Sequence, residues 1–271
     1  MSVVNPALPV SVIIPCYHSA ETIQRAFQSI LDQTQQPGEV ILIDDASGDA
    51  TLSVLKQLEV DYHGWVKVLA LAENKGASEA RNAGWNAASQ PYIAFLDADD
   101  SWHPEKLARQ YQIMLDHPDF EVSGHRCARY SDTVAKPVSI TKIRRVTPMA
   151  LLFKNQFNTP TVMLKTALPF RFKAGKHFAE DFYLWQQIAF SGVVIAFIDC
   201  TLAYVYKPLY GASGLSAHLW AMEKAELDNF YCLYKDRHIN AVLFLMAGLF
   251  SLLKYGKRLV ISAIRSSEVT S

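Results

Sequence analysis

The sequence predicts an α/β fold: a mostly parallel, Rossmann-like sheet flanked by helices, with a helical extension at the C-terminal end. Three observations predict it. Short aliphatic runs alternate with longer amphipathic ones over residues 10–96, the pattern of a parallel sheet covered by helices. The aliphatic runs are continuous rather than alternating, as strands buried on both faces should be. Three of them end in loops rich in Asp, Ser or Gly, and open parallel sheets bind ligands beyond the carboxyl ends of their strands.

Taken in order, strands are expected at 10–14, 40–43, 66–71 and 92–96, where the residues are aliphatic and uninterrupted. Between them, 20–31, 50–58 and 77–88 carry apolar residues at helical spacing with few breakers. Beyond 96 the pattern changes to a helix over 104–116, a strand near 120–130, a basic loop and a mixed segment to 206. The stretch 217–265 has the spacing of two helices joined near 236–240.

With 271 residues, half of them hydrophobic, the chain buries a core without disulfides. Its 26 basic and 26 acidic residues cancel, which argues against a general nucleic-acid binder. Cys16, Cys127, Cys200 and Cys232 lie far apart, without metal-type pairing. Residues 1–9 lack a basic segment followed by an apolar core, so no secretory signal is expected. The longest apolar stretch, 241–253, falls short of the roughly 20 residues a bilayer span needs.

The acidic loops carry the chemistry. In Phe95-Leu96-Asp97-Ala98-Asp99-Asp100 a buried strand runs into three carboxylates, whose mutual repulsion is relieved by solvent or a cation. Mg²⁺ or Mn²⁺ suits them, taking carboxylate and diphosphate oxygens and keeping water elsewhere. The competing reading makes them turn and cap residues for the helix near Pro104. In the second loop, Ser47 or Asp49 suits a helix cap, whereas Asp44 and Asp45 sit at the strand end, where a carboxylate accepts from a pyrimidine imide; Asp45 is favoured. The third loop, Asn74 to Gly84, opens a helix and sets Arg81 one turn in, to meet a phosphate or base unless it is a plain surface arginine.

Four pieces in order, Ser11-Val12-Ile13-Ile14-Pro15-Cys16-Tyr17, Ile41 to Ser47, Asn74 to Gly84 and Phe95 to Asp100 with Trp102 and Pro104 following, closely resemble the family 2 glycosyltransferases of GT-A fold. The resemblance spans 10–107, touches 178–185 and fades beyond 219. It implies an inverting transferase that uses a nucleotide diphosphate sugar, UDP favoured, and a divalent metal, with a glycan or lipid-linked acceptor in bacterial surface polysaccharide biosynthesis. Residues 1–216 would form the GT-A domain, 10–107 being its nucleotide-sugar half and 108–216 its acceptor half, and 217–271 a helical extension. Pro15, Tyr17, Asp44, Asp45, Arg81 and Asp97 would contact the donor, and Asp99 with Asp97 the metal.

Single-displacement inversion needs one carboxylate to deprotonate the acceptor hydroxyl. By resemblance that is Asp181 in His177-Phe178-Ala179-Glu180-Asp181, with Glu180 as a supporting or salt-bridge residue. Asp181, Leu184, Trp185 and Ile188 share a helical face, which turns the carboxylate inward; a first-turn acid facing the helix dipole is the alternative. The segment 206–216 resembles a loop closing over the donor, with Ser213 and Gly214 within it and Lys207 or His218 to neutralise the leaving diphosphate. The Gln/Arg-x-x-Arg-Trp motif of processive synthases is missing, which implies one sugar per encounter.

No acid falls between Asp132 and Glu180 while nine Lys or Arg do: a solvated face, or a surface for an anionic acceptor. Residues 241–253 followed by Lys254, Lys257 and Arg258 suit a helix lying in a membrane interface, or one docked on the protein's own core or a second subunit. The expectation is a cytoplasmic protein, peripheral on the inner membrane. A nucleotidyltransferase would want a Gly-rich loop after the first strand, which Pro15-Cys16-Tyr17-His18 is not, and a non-catalytic module would have lost Asp181 or the pair Asp97 and Asp99.

Overall fold

The computed structural model describes residues 6–130, 139–206 and 218–269, with side chains placed as far as 259. The first half alternates strand and helix as expected: β1 (Leu8–Cys16), α1 (Ile23–Leu31), β2 (Pro37–Asp44), α2 (Thr51–Asp61), β3 (Val66–Ala70), α3 (Ala77–Ala87) and β4 (Tyr92–Phe95). All three pairings among these strands are parallel. Helix α1 starts later than the spacing suggested, because Ser19 to Thr22 form a turn pinned by Ser19 N donating to Thr51 Oγ1 at 2.9 Å.

After β4 come β5 (Ser101–Trp102), α4 (Lys106–Asp116), β6 (Val122–Arg129), β7 (Ile143–Val146), α5 (Pro148–Phe153), a 3-10 turn (Thr159–Thr161), β8 (Met163–Lys165), α6 (Glu180–Phe190), β9 (Ile195–Val205), α7 (Leu219–Lys235) and α8 (Ala241–Val269). The sheet runs β3-β2-β1-β4-β8-β6-β9-β5, with β7 on β9. It is less parallel than the sequence suggested. Strand β8 meets β4 and β6 antiparallel, and β5 and β7 meet β9 antiparallel, while β6 and β9 run parallel. Strands β5, β7 and β8, of two, four and three residues, are too short to carry the long aliphatic runs that reveal a buried parallel strand.

Both faces of the central strands are dry. Val12 and Ile14 pack with Phe27 and Ile30 of α1, Leu55 of α2 and Leu107 of α4. On the other face Ile13 and Phe95 meet Trp85 of α3 and Leu184, Trp185 and Ile188 of α6. Helix α3 lies close on the sheet because of Gly84: a Cβ there would stand 2.5 Å from Ile13 Cγ2 and 2.8 Å from Ile43 Cδ1. Helices α7 and α8 form a pair whose inner residues, Phe230, Leu233 and Ala247, close over Leu152 of α5 and Tyr183 of α6. No helix among the described residues is long and apolar enough to cross a membrane.

Candidate active site

The carboxyl ends of β1, β2 and β4 and the start of α3 enclose a cavity of about 370 Å³. Pro15, Tyr17, Asp45, Arg81, Asp97 and Asp99 line it, which brings together six residues expected from the sequence. Asp44, expected to share base recognition with Asp45, is absent from the lining. Its buried carboxylate turns into its own loop and accepts from Ser47 Oγ at 2.5 Å, a bond that a turn with Ala46 at φ 53° requires to hold its shape.

Asp45 is 2 % exposed and does two things. Its oxygens accept from the backbone N–H groups of Lys75 at 2.8 Å and Gly76 at 2.7 Å, fixing the loop that opens α3. Each carboxylate oxygen keeps a second lone pair for a ligand in the cavity that the residue lines. Gly76 has φ +83°, a conformation glycine adopts freely, and the ring of His177 stands over it, 3.2 Å from where a Cβ would be. Asp49, by contrast, is a helix-start residue, accepting from Thr51 N at 2.9 Å.

The acids after β4 are not helix caps. Helix α4 begins only at Lys106 without a side-chain cap, and Ser101 and Trp102 intervene as a strand paired with β9. Asp97 and Asp99 face the cavity instead, and the guanidinium of Arg25, unsuspected from sequence, donates to the carbonyl of Asp99 at 2.6 Å. Arg25 also lies over the ring of Tyr206, 3.8 Å from its centroid.

Arg81 joins the two halves of the site. Its side chain is buried, and its two terminal nitrogens reach Asp97 Oδ1 at 2.8 Å and Glu180 Oε1 at 3.2 Å. Burial alone would weaken its hold on the proton, but Asp97 and Glu180 outweigh that and push its pKa up. The surface-arginine reading is therefore excluded, and Glu180, expected as an ion-pair residue, acquires its partner. Nothing in the spacing linked positions 81 and 180; only α3 and α6 packing on the same sheet face does.

Asp181 is half-buried at the first turn of α6, next to this bridge but outside the cavity lining. One oxygen accepts from Phe182 N at 2.6 Å; the other lies 3.4 Å from Asn155 Nδ2 and 3.5 Å from Thr159 Oγ1. Burial, then the neighbouring Glu180 charge, push its pKa up to about 7 against the opposing pull of Arg81. Thr159 opens the 3-10 turn whose Pro160 carbonyl accepts from Trp102 Nε1 at 2.7 Å, so Asp181 stands close to the chain that follows the acidic motif. His218 lies at the start of α7 with its ring 6.3 Å from Phe178 and does not line the cavity; Lys207, Ser213 and Gly214 fall outside the described residues.

Whether a divalent cation fits is a question of donor set. No cluster of three or more His, Cys, Asp or Glu suited to a metal occurs among the described residues. Asp97 and Asp99 alone fit a hard ion that takes most of its ligands from diphosphate and water. Arg81 stands between the carboxylates of Asp97 and Glu180, while Arg25 donates to the backbone carbonyl of Asp99 rather than to its carboxylate.

A parallel sheet that delivers acidic loop ends to one cavity, continued by a mixed half, is the GT-A class of fold. Residues 11–178 match the model of glycosyl transferase family 2, and the chain belongs to that family; it is a glycosyltransferase. TuaG of Bacillus subtilis (strain 168), named for teichuronic acid biosynthesis, is 41% identical over 108 residues, 40% of this chain and 42% of TuaG, so the match spans under half of that relative's length. The Escherichia coli UDP-Glc:alpha-D-GlcNAc-diphosphoundecaprenol beta-1,3-glucosyltransferase WfgD is 35% identical over 180 residues, 66% of this chain and 69% of its own. Among solved structures, a mannosyltransferase from Pyrobaculum calidifontis in complex with GDP-Man and Mn²⁺ superposes with a TM-score of 0.61 at 18% identity, over 96% of this chain and 76% of that one.

Proposed function

We propose that the chain transfers a sugar, with inversion, from a nucleotide diphosphate donor to a glycan or lipid-linked acceptor in bacterial surface polysaccharide biosynthesis. The observation that carries this reading is the Arg81 bridge, which ties Asp97 of the donor cavity to Glu180 beside Asp181. Asp181 takes the proton of the acceptor hydroxyl as its oxygen bonds to the anomeric carbon. The bond from that carbon to the diphosphate breaks on the opposite side, so the configuration inverts and no protein nucleophile is needed. Cys16, at the cavity, suits no such role, since burial pushes its thiol up to about 12. Pro15 and Tyr17 flank the base, Asp45 accepts from its imide, and Asp97 addresses the ribose. Asp99 and Asp97 would hold Mg²⁺ or Mn²⁺, which when bound offsets the charge of the departing diphosphate.

UDP is the favoured carrier, on the acid at Asp45 and on WfgD, whose name gives a UDP-sugar donor and a lipid-linked diphosphate acceptor. Thermal unfolding of the purified protein with UDP, dTDP and GDP, each with and without Mn²⁺, tests this. The largest rise in Tm is expected with UDP plus Mn²⁺, and at 100-fold over Kd a site of this kind adds about 2.7 kcal/mol. No Mn²⁺-dependent rise with any of the three would remove the metal-assisted donor reading.

The same reading places the protein on the cytoplasmic face of a membrane without crossing it. Leu245, Leu249 and Leu253 repeat along the outward face of α8 and are each more than 60% exposed. From 237 to 267 the sequence holds no acid, while Arg237, Lys257 and Arg265 fall in it besides Lys254 and Arg258, which pair with Glu226 of α7, a pattern suited to a helix resting on anionic lipid. Sedimentation with phosphatidylglycerol-containing vesicles is expected to carry the protein down at low salt, and Leu245→Glu with Leu249→Glu to leave it in solution. Equal behaviour of the two proteins would remove this face from the role.

A further inference from the structure

Beyond the stretch matched by the family model, residues 11–178, α7 makes a row of contacts with the segment that leads into the expected base. The carbonyl of Ala225 and the carboxylate of Asp228 hold Lys176 Nζ, at 3.4 and 2.7 Å. Asn229 Nδ2 donates to the carbonyl of Ala179 at 3.0 Å. Cys232 Sγ accepts from Lys173 Nζ at 3.1 Å, and Asp236, just past the helix, accepts from Tyr183 OH at 3.3 Å. Positions 225, 228, 229, 232 and 236 repeat at the three-and-four spacing of a single helical face. One stripe of the extension therefore grips residues 173–183 along their length.

The contact at Ala179 differs from the others in what it controls. Ala179 stands at φ 50°, ψ 28°, a left-handed conformation that a residue with a Cβ adopts only under constraint, and it is the residue from which α6 starts. Its carbonyl accepts the first helical bond, from Tyr183 N at 3.1 Å, as well as the Asn229 amide. The plane of the peptide that follows sets where Glu180 and Asp181 project. Asn229 is fully buried, and its own Oδ1 has no partner among the described residues, so an unpaired polar atom is tolerated for the sake of one donated bond, a cost that packing an apolar residue there would avoid.

We infer that Asn229 is a positioning residue for catalysis: by holding the Ala179 carbonyl it fixes the left-handed entry to α6 and thereby the direction of the Asp181 carboxylate. The inference rests on Asp181 as the base. It makes α7 part of the catalytic machinery rather than an appended support, and it separates the donor cavity, which Asn229 does not touch, from the acceptor side, which it governs.

Asn229→Ala in the full-length chain tests this, assayed for transfer with a UDP-sugar and a glycan acceptor and for UDP binding by titration calorimetry. Turnover is expected to fall tenfold or more, with UDP affinity and donor KM within twofold of wild type and partial recovery in Asn229→Ser, whose hydroxyl can still donate. In the double variant with Asp181→Asn, the loss is expected to match that of Asp181→Asn alone. A folded Asn229→Ala with wild-type turnover, or a double-variant loss that multiplies the two single losses, would overturn the inference. Activity retained by Asp181→Asn alone would instead overturn the base assignment, and the single Asn229 variant distinguishes the two failures. Should Asn229→Ala not fold, Asn229→Leu, close to asparagine in shape but without a donor for the Ala179 carbonyl, is expected to lose turnover in the same way with donor KM unchanged, and wild-type turnover there would count equally against it.

Discussion

Asp181→Asn is expected to abolish transfer while leaving donor binding intact. General-base catalysis of this kind contributes about 10²- to 10⁴-fold, and amide replaces carboxylate with almost no change of shape, so kcat should fall by that range while UDP affinity holds. The wild-type pH profile should carry the signature of the same group. With the carboxyl pushed up to about 7 by burial and by Glu180, kcat/KM should fall about tenfold per pH unit below that value and level off above it. The sign for stability is opposite. A folded pKa above the unfolded one means the native state holds the extra proton, so this group's contribution is fully present below the unfolded carboxylate value and is lost as pH rises toward about 7. Asp181→Asn should therefore melt no lower than wild type at pH 8, which separates lost chemistry from lost folding. Retained turnover in the Asn variant would sink the assignment.

Arg81→Met should be the most destabilising single change in the cavity. The guanidinium holds Asp97 and Glu180 from two different nitrogens, and its side chain is buried. Removing one partner of a buried ion pair costs about 3–5 kcal/mol because the remaining charges stay uncompensated; here two carboxylates would face each other. For a chain of this size that corresponds to a fall in Tm on the order of 10 °C. Because Arg81 pulls the Asp181 pKa down, the acid limb of any residual activity should also move to higher pH. Arg81→Lys should recover only part of either effect, since one ammonium cannot reproduce the fork that reaches both acids. Stability within about 1 kcal/mol of wild type, measured by denaturant unfolding, would show that the bridge is not what holds the two halves together.

Much of the fold could be read from the residues because buried parallel strands write themselves into sequence as unbroken aliphatic runs. Val10 to Ile14, Val40 to Ile43 and the run into Phe95 each fall within observed strands. Antiparallel segments as short as Met163–Lys165 carry too few residues for any period to show, and the mixed half of the sheet was not legible for that reason. The site divides in the same way. Asp45, Arg81, Asp97 and Asp99 stood out because each follows directly on a strand or opens a helix, and strand ends converge in this fold. The sequence favours Asp45 only narrowly over Asp44, whereas in the fold these adjacent residues at a strand end point to opposite sides, one into the turn and one into the cavity.

What the sequence determined by itself, then, is which residues can carry charge at the ends of the strands, since local patterning and strand order need no knowledge of distant contacts. Tertiary structure alone decided how those charges are paired. The Arg81 ion pair with Glu180 spans 99 residues and the Asn229 bond to Ala179 spans 50. No local period records such a separation, because it arises only when two helices pack against one face of a common sheet or against each other.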